Sequence, residues 1–166
     1  MIDVNKLKLA ALSLVILGAA SGTANAATAS ASLNIQTAFS VTKTADLAFG
    51  TVFLPGTGGG TLTIGTDGSA TATGTGMIAP SSGTTAASFD VSGPASTPYT
   101  ITLPASADLT DGTTTLVVDT FTDSAAGSGT LDGSGADTFT VGAKVTIPDT
   151  ATIGSYTGTF DVTVDY

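Results

Sequence analysis

The sequence predicts an all-β fold in which antiparallel strands form one sandwich domain. Polar and apolar residues alternate with a period of two along much of the chain, as in strands with one buried face. Threonine, serine, glycine, alanine and valine dominate the composition, and threonine and valine fit a pleated sheet. Glycine and proline clusters separate the alternating runs and mark turns. These three observations together predict strands joined by short connections.

Residues 1–26 have the three parts of a cleavable secretory signal peptide. The start carries two lysines, residues 9–20 are apolar apart from one serine, and Ala24 and Ala26 are the small residues of a cleavage site. The apolar run of about 12 residues is shorter than the roughly 20 that a membrane-spanning helix needs. We expect cleavage after Ala26 and a secreted domain at 27–166 without a transmembrane segment. The protein would then lie in the periplasm, at the cell surface or outside the cell.

The composition of the expected mature chain argues against most enzymes. The sequence has no histidine or cysteine, which removes the imidazole base, the thiolate nucleophile and the usual zinc ligands. Residues 27–166 contain two lysines, Lys43 and Lys144, and twelve aspartates, so the expected mature chain has a net charge of −10, which repels nucleic acids and anionic lipids. We therefore predict a protein that is not an enzyme, needs no cofactor and binds no nucleic acid.

Alternating runs define the predicted strands. In the first run, odd positions such as Leu33 and Ile35 are apolar, and even positions are polar. In the last run, Phe160, Val162 and Val164 alternate with threonine and aspartate. The predicted strands are 27–41, 46–54, 60–65, 70–79, 86–93, 98–103, 113–122, 137–147 and 158–166. About eight or nine short strands in one domain favour a sandwich of the immunoglobulin type.

Turn residues support this segmentation. The pairs Asp67-Gly68, Asp111-Gly112 and Asp132-Gly133 are typical of tight hairpins in which glycine supplies a positive φ. The glycines at 56–60 resemble a phosphate-binding loop, but a strand rather than a helix follows them, which favours a hairpin loop.

The apolar members of the predicted strands should form the core. We expect it to contain Phe39, Leu47, Phe49, Val52, Phe89, Val91, Ile101, Leu103, Val117, Phe139, Val141, Val145, Ile147, Tyr156, Phe160, Val162 and Val164.

Two pairs of aspartates are candidates for chemistry. Asp132 and Asp137 flank a glycine-rich turn, which is either a calcium site of the kind found in secreted proteins or an ordinary acidic turn. Asp119 and Asp123 are predicted on one side of a strand. Paired-carboxylate hydrolysis would also need a cleft lined by aromatic residues or donors, and the chain has no tryptophan. Lys144 falls on the polar side of its run, which favours a solvated strand face.

The order of several motifs resembles a family of secreted bacterial β-sandwich proteins defined as a domain of unknown function (DUF4402-like). The resemblance covers about 28–166. It rests on Asp46-Leu47-Ala48-Phe49-Gly50-Thr51-Val52, SFDVSG at 88–93, PYTITLP at 98–104, DTFTVGAKVTI at 137–147 and GSYTGTFDVTVDY at 154–166. The layout is also similar to fimbrial subunits of chaperone–usher systems and to spore-coat-U-like domains. These relatives imply an immunoglobulin-like sandwich, assembly at a surface and no catalytic residues.

Two function classes follow. The first is a secreted or cell-surface structural protein, a pilin-like, fimbrial or coat subunit that assembles by β-strand addition. Residues 27–37 would be the exchanged strand, with Leu33 and Ile35 as apolar anchors. Its partners would be other copies or related subunits, and a periplasmic chaperone. The alternatives are that 27–41 is an ordinary first strand, and that the protein is a soluble adhesion module that binds a carbohydrate or a protein.

Overall fold

The computed structural model describes residues 27–53, 58–75 and 77–166, which contain twelve strands. The chain divides into two units, 1–34 and 35–166, and all of these strands lie in the second. The signal peptide predicted at 1–26 and the first two residues of the hairpin loop predicted at 56–60 lie outside the described residues. The strands are β1 (Ser40–Ala45), β2 (Ala48–Phe49), β3 (Gly60–Ile64), β4 (Ala70–Gly74), β5 (Thr84–Thr85), β6 (Ala87–Ser92), β7 (Pro98–Thr102), β8 (Ser106–Thr110), β9 (Thr115–Asp123), β10 (Ser128–Thr130), β11 (Ala136–Ile147) and β12 (Thr163–Asp165).

The predicted all-β class is confirmed, because every strand pairing in the described residues is antiparallel. The same residues include no helix that is long and apolar enough to cross a membrane.

The longest strand, β11, organises the seven-stranded sheet. Val141 is in register with Ala87 of β6 and also with Asp123 of β9, so β6 and β9 lie along opposite edges of β11. Val145 is in register with both β3 and β9. Strands β6 and β3 therefore follow one another along one edge of β11, and β9 runs along the other. Strands β1, β4 and β8 extend the sheet outward from β6, β3 and β9.

Two buried clusters form the core, and β11 contributes to both. The three-stranded sheet β10–β7–β12 supplies Tyr99 and Ile101 to the first cluster. That cluster contains Ala87, Phe89, Val91, Tyr99, Ile101, Leu131, Phe139 and Val141. The second contains Leu62, Ile64, Leu116, Val118, Ala143, Val145 and Ile147. The odd-numbered residues of β11 from Phe139 to Ile147 are all buried, so one face of one strand serves both clusters.

Most of the predicted core residues contact these clusters, at two depths. The buried ones are Phe89, Val91, Ile101, Phe139, Val141, Val145 and Ile147. The half-buried ones, which pack at the margins, are Phe39, Leu47, Phe49, Val52, Leu103, Tyr156, Phe160, Val162 and Val164. The prediction that Val117 belongs to the core was wrong, because its side chain is 45% exposed and its neighbours Leu116 and Val118 are buried instead. Three consecutive apolar residues fit either face of a strand, and sequence alone does not choose between them.

Four predicted strands are shorter than expected. Within the described residues, the run 46–54 contains only β2 (Ala48–Phe49), and the run 70–79 only β4 (Ala70–Gly74). The run 27–41 enters a strand only at Ser40, and the run 158–166 only at Thr163. Alternation supplies a buried face, but a strand also needs a hydrogen-bonded neighbour. Strand β8 was missed although Ala107 and Leu109 alternate with polar residues, and the short strands β5 and β10 were missed as well. In the predicted turn at Asp132-Gly133 the positive φ belongs to Gly135, at 82°.

Candidate assembly site

The N-terminal arm, defined here as residues 27–37, forms no strand or helix and all of its side chains are exposed. Leu33 and Ile35, the predicted anchors, are each 83% exposed. The arm contains no charged residue and no proline, the residues that proteins use to blunt exposed strands. Apolar and polar residues alternate from Ala27 to Gln36, which is the side-chain pattern of a strand, although the segment has no neighbouring strand among the described residues.

A second segment also lacks a neighbour on one side. The C-terminal edge, defined here as residues 159–165, includes β12, whose three residues pair only with β7. Residues 159–162 continue the alternation, with Phe160 and Val162 half-buried against the first cluster and Asp161 exposed. Within the described part of the chain, no backbone hydrogen bond involves residues 159–162. Such groups must bond to water or to a partner, so this stretch can accept another strand.

A small apolar cleft lies beside this edge. It is lined by Leu47, Phe49, Ala107, Leu109, Val118, Phe121 and residues 158–160. The rings of Phe121 and Phe160 lie 5.0 Å apart at its wall. Its volume of about 40 Å³ is far below the roughly 300–1,000 Å³ of a small-molecule site. A space of this size accommodates about three water-sized groups, which is the end of one aliphatic side chain.

The loop that precedes the C-terminal edge is anchored to the β8–β9 hairpin. Thr110 and Thr157 exchange two backbone hydrogen bonds, of 2.9 and 3.0 Å. Asp111 accepts hydrogen bonds from the backbone N–H groups of Thr114 and Thr113 at 2.7 and 2.8 Å, and from the hydroxyl of Thr152 at 2.7 Å. The C-terminal segment is therefore bonded to β8 at residue 157 and to β7 at β12, and its backbone groups between these two points have no backbone partner among the described residues.

The Asp111 cluster predicts a pH-dependent stability. The Thr114 N–H and the Thr152 hydroxyl lower the pKa of Asp111 from 3.8 to about 2. A carboxyl whose pKa is lowered on folding stabilises the fold above its unfolded pKa, and this contribution is lost as the pH falls through the folded pKa. We expect Asp111→Asn to destabilise the protein at pH 6 and to lose most of that effect near pH 2, as measured by urea unfolding.

A matched variant keeps the carboxylate and removes one donor. Thr152→Val should raise the pKa of Asp111 and move its loss of stability to a higher pH. If the free energy of unfolding differs between the wild type and Asp111→Asn by the same amount at pH 6 and pH 2, the ionised Asp111 carboxylate does not stabilise the fold.

Both aspartates of the candidate calcium turn accept hydrogen bonds from the protein itself. Asp132 accepts hydrogen bonds from the N–H groups of Ala136 and Ser134 at 2.9 and 2.8 Å, and these lower its pKa together with the Ser134 hydroxyl. Asp137 accepts the Tyr99 hydroxyl at 2.8 Å. Burial and this hydrogen bond raise the pKa of Tyr99 well above its usual range. The calcium hypothesis stays a prediction, and the described residues contain no cluster of three or more candidate metal ligands.

The other predicted pair is separated by a bulge. β9 has one extra residue between Asp119 and Thr122, opposite Gly142–Lys144 of β11, and Thr120 has a φ of 53° there. The bulge changes which side chains point inward, so the prediction that Asp119 and Asp123 lie on one side was wrong. Asp119 pairs instead with Lys144 at 3.1 Å on the outer face.

The surface is acidic because aspartates outnumber lysines, and both described lysines are paired with aspartates. Lys43 bonds to Asp46, and Lys144 to Asp119. The outer side of the C-terminal edge presents Asp161 and Asp165, which are exposed. The edge therefore repels another acidic strand and suits an uncharged one.

Comparison with known proteins identifies a family. A family model described as a domain of unknown function (DUF4402) matches residues 39–166. No curated protein and no solved structure matches the chain. The matched region begins at Phe39, where side chains first pack against the core, and leaves the N-terminal arm outside.

Proposed function

The chain belongs to the DUF4402 family of domains of unknown function, and we propose that it is a non-enzymatic, exported structural subunit. Copies assemble at the cell surface by β-strand addition, with the N-terminal arm as the donated strand. Cleavage after Ala26 would free this arm. The observation that carries the proposal is an exposed, uncharged, alternating segment in a protein that also has an unpaired sheet edge.

Burial of the arm's apolar side chains alone would give only a modest affinity between copies, so backbone pairing must also contribute. Burial of Leu33 and Ile35 would contribute roughly 1.5–3 kcal/mol each, and the arm's alanines less. Ordering a flexible segment opposes this gain. The hydrogen bonds of the added strand supply the remaining stabilisation, as is general for strand addition.

Assembly of the mature chain, Ala27–Tyr166, tests the proposal. We expect oligomers that grow with concentration and fibres in electron micrographs, and no assembly after deletion of residues 27–37. The deletion should leave the melting temperature unchanged, because no arm residue belongs to either buried cluster. Light scattering measures the assembly, and the intact mass of the exported protein shows whether it begins at Ala27.

A matched control preserves the composition of the arm. The double variant Leu33→Asn, Asn34→Leu moves one apolar anchor to the other face of the strand, and we expect it to assemble poorly. If the mature wild-type protein stays monomeric at high concentration, the structural-subunit proposal fails.

One observation favours the alternative of a soluble protein-binding module. Phe53 and Ile78 form an antiparallel bridge and are 71% and 67% exposed, which makes a small apolar patch. Such patches mark interaction sites when they are extensive. This alternative would be supported if the protein is a monomer that binds another protein, and if the Phe53→Ser variant no longer binds it.

A further inference from the structure

We propose that two copies of the protein associate through the free side of β4, in an antiparallel pair with a two-fold axis at Ala72. Strand β4 (Ala70–Gly74) ends the seven-stranded sheet and, among the described residues, pairs only with β3. Alternate residues of such a strand direct their backbone N–H and C=O groups away from the sheet, where they need water or a partner. This contact joins two identical strands and does not involve the N-terminal arm.

The sequence around β4 is nearly free of charge. Between Leu47 and Phe89 the only charged residue is Asp67, although the expected mature chain has a net charge of −10. Copies that carry the same net charge repel each other least where the charges are sparsest. The hairpin formed by β3 and β4 is therefore a region where a second copy meets little repulsion.

The sequence of β4 is complementary to itself. In an antiparallel pair centred on Ala72, Thr71 of one copy faces Thr73 of the other. Both threonines are exposed on the outer face of the sheet, and threonine pairs across neighbouring strands are favourable. On the inner face, Ala70 and Ala72 pack against the second cluster, and their small side chains leave room for two backbones to approach. Both faces of the new pair therefore suit a second copy.

The one nearby carboxylate does not oppose this pairing. Asp67 lies in the turn before β4, so the two copies of Asp67 are at opposite ends of the antiparallel pair, roughly 30 Å apart. The Asp67 carboxylate also accepts the backbone N–H of Ser69 at 2.9 Å within its own chain. Like charges are therefore not brought together at this contact.

The other described edges carry features that disfavour such a contact. β1 has Lys43 on its inward face and an irregular register next to it, both of which block edge pairing. β8 contains Asp108, and its Thr110 is already bonded to Thr157. β12 contains Asp165, and β10 has only three residues. The pairing of β4 with β3, by contrast, is regular from Ala70 to Gly74.

The size of the contact makes it weak between two isolated copies. A pair of five-residue strands buries far less than the roughly 1,200–2,000 Å² of a stable interface. Copies that are already held together by another contact have a high effective concentration, which strengthens weak pairing. In the proposed fibre, β4 would therefore join neighbouring fibres side by side. The contact is isologous, so it closes on two copies and does not lengthen a fibre.

Cysteine cross-linking tests the pairing, because the native chain has no cysteine. One preparation of the full mature chain carries Thr71→Cys, and the other carries Thr73→Cys. Facing residues of antiparallel strands have Cα atoms about 4.5–5.5 Å apart, within the roughly 4.4–6.8 Å of a disulfide. We expect several-fold more disulfide-linked dimer after oxidation of the mixture than of either preparation alone, as measured on non-reducing gels. In a single preparation the two identical cysteines are offset along the strands, beyond disulfide range.

A charge variant with a matched control locates the contact. Ala72→Cys, which faces its own copy across the axis, reports the pairing in a single preparation. Adding Thr71→Asp with Thr73→Asp places carboxylates directly opposite each other and should remove the dimer. Adding Thr61→Asp with Thr63→Asp makes the same change of charge on the same face of β3, one strand further in, and should leave most of it. Melting temperatures check that each variant is folded.

Several results would overturn the pairing. The first is a mixture that gives no more dimer than its two components alone. The second is an equal loss of dimer from the aspartates on β3 and on β4. The third is a disulfide between Asn34→Cys and Thr73→Cys, because the arm would then occupy the edge. Fibres without the β4 dimer would remove this inference and leave the proposed function in place, and the β4 dimer without fibres would do the reverse.

Discussion

Phe139→Ala is expected to lower the free energy of unfolding by about 3–5 kcal/mol, as truncation of a buried aromatic side chain does. The side chain is 1% exposed and stacks on Phe89 with ring centroids 5.3 Å apart. It belongs to the inward face of β11, is in register with Phe89 of β6, and lies among the buried residues of the first cluster. Urea unfolding followed by circular dichroism measures the change.

Truncations at two less buried positions test whether the loss of stability follows the burial of the side chain. Val117→Ala, on a side chain that is 45% exposed, should change the stability by less than about 0.5 kcal/mol. Phe160→Ala should lie between the two, because that ring is half-buried beside the cleft. A loss below about 1 kcal/mol for Phe139→Ala would show that the first cluster is not tightly packed. If that variant does not fold, Phe139→Leu provides a milder measurement at the same site.

Gly142→Ala is expected to destabilise the protein by about 3 kcal/mol, at the upper end of overpacking effects. A Cβ atom at this position would lie 2.2 Å from the carbonyl oxygen of Ile64 and 2.8 Å from the carbonyl carbon of Gly65. These are backbone atoms, which cannot rotate away as a side chain does. Gly142 lies where β11 changes its neighbour from β6 to β3, so the shift would disturb both pairings.

Gly133→Ala is the matched control for this substitution. A Cβ atom there meets nothing within 4 Å, and the residue has no positive φ. Its effect should be small, or stabilising by about 0.4–1 kcal/mol through the unfolded chain. Equal melting temperatures for Gly142→Ala and the wild type would mean that β3 and β11 approach less closely than described.

Alternation predicted the strands whose two faces differ clearly. β6, β7 and β11 lie within a residue of their expected bounds because apolar residues alternate with polar ones along them. The pattern failed at Val117, where three apolar residues in a row fit either face, and at Asp123, where a bulge reverses the faces. Neither the bulge nor the pairing of β11 with two successive strands leaves a mark in local periodicity.

Of the two segments of the candidate assembly site, only the N-terminal arm could be proposed from the sequence. The arm with Leu33 and Ile35 was identified because its alternation and lack of charge are visible in the sequence, and because the predicted cleavage after Ala26 would place it at the chain end. The C-terminal edge was predicted only as a strand, since the identity of its neighbours depends on contacts between distant residues. Asp161 and Asp165 appear in the sequence as ordinary polar alternation. Their arrangement along an unpaired edge became evident only from the pairing of β12 with β7.

The sharing of β11 between the two buried clusters makes the domain cooperative. Removal of β11 from the sheet would expose residues of both clusters, so the two clusters are coupled through one strand. Residues 159–162 and the arm, which have few hydrogen bonds, belong to the least protected part of the protein. In the proposed assembly, release of the exchanged strand would separate two copies while each domain stays folded, so turnover would be governed by strand release rather than by unfolding.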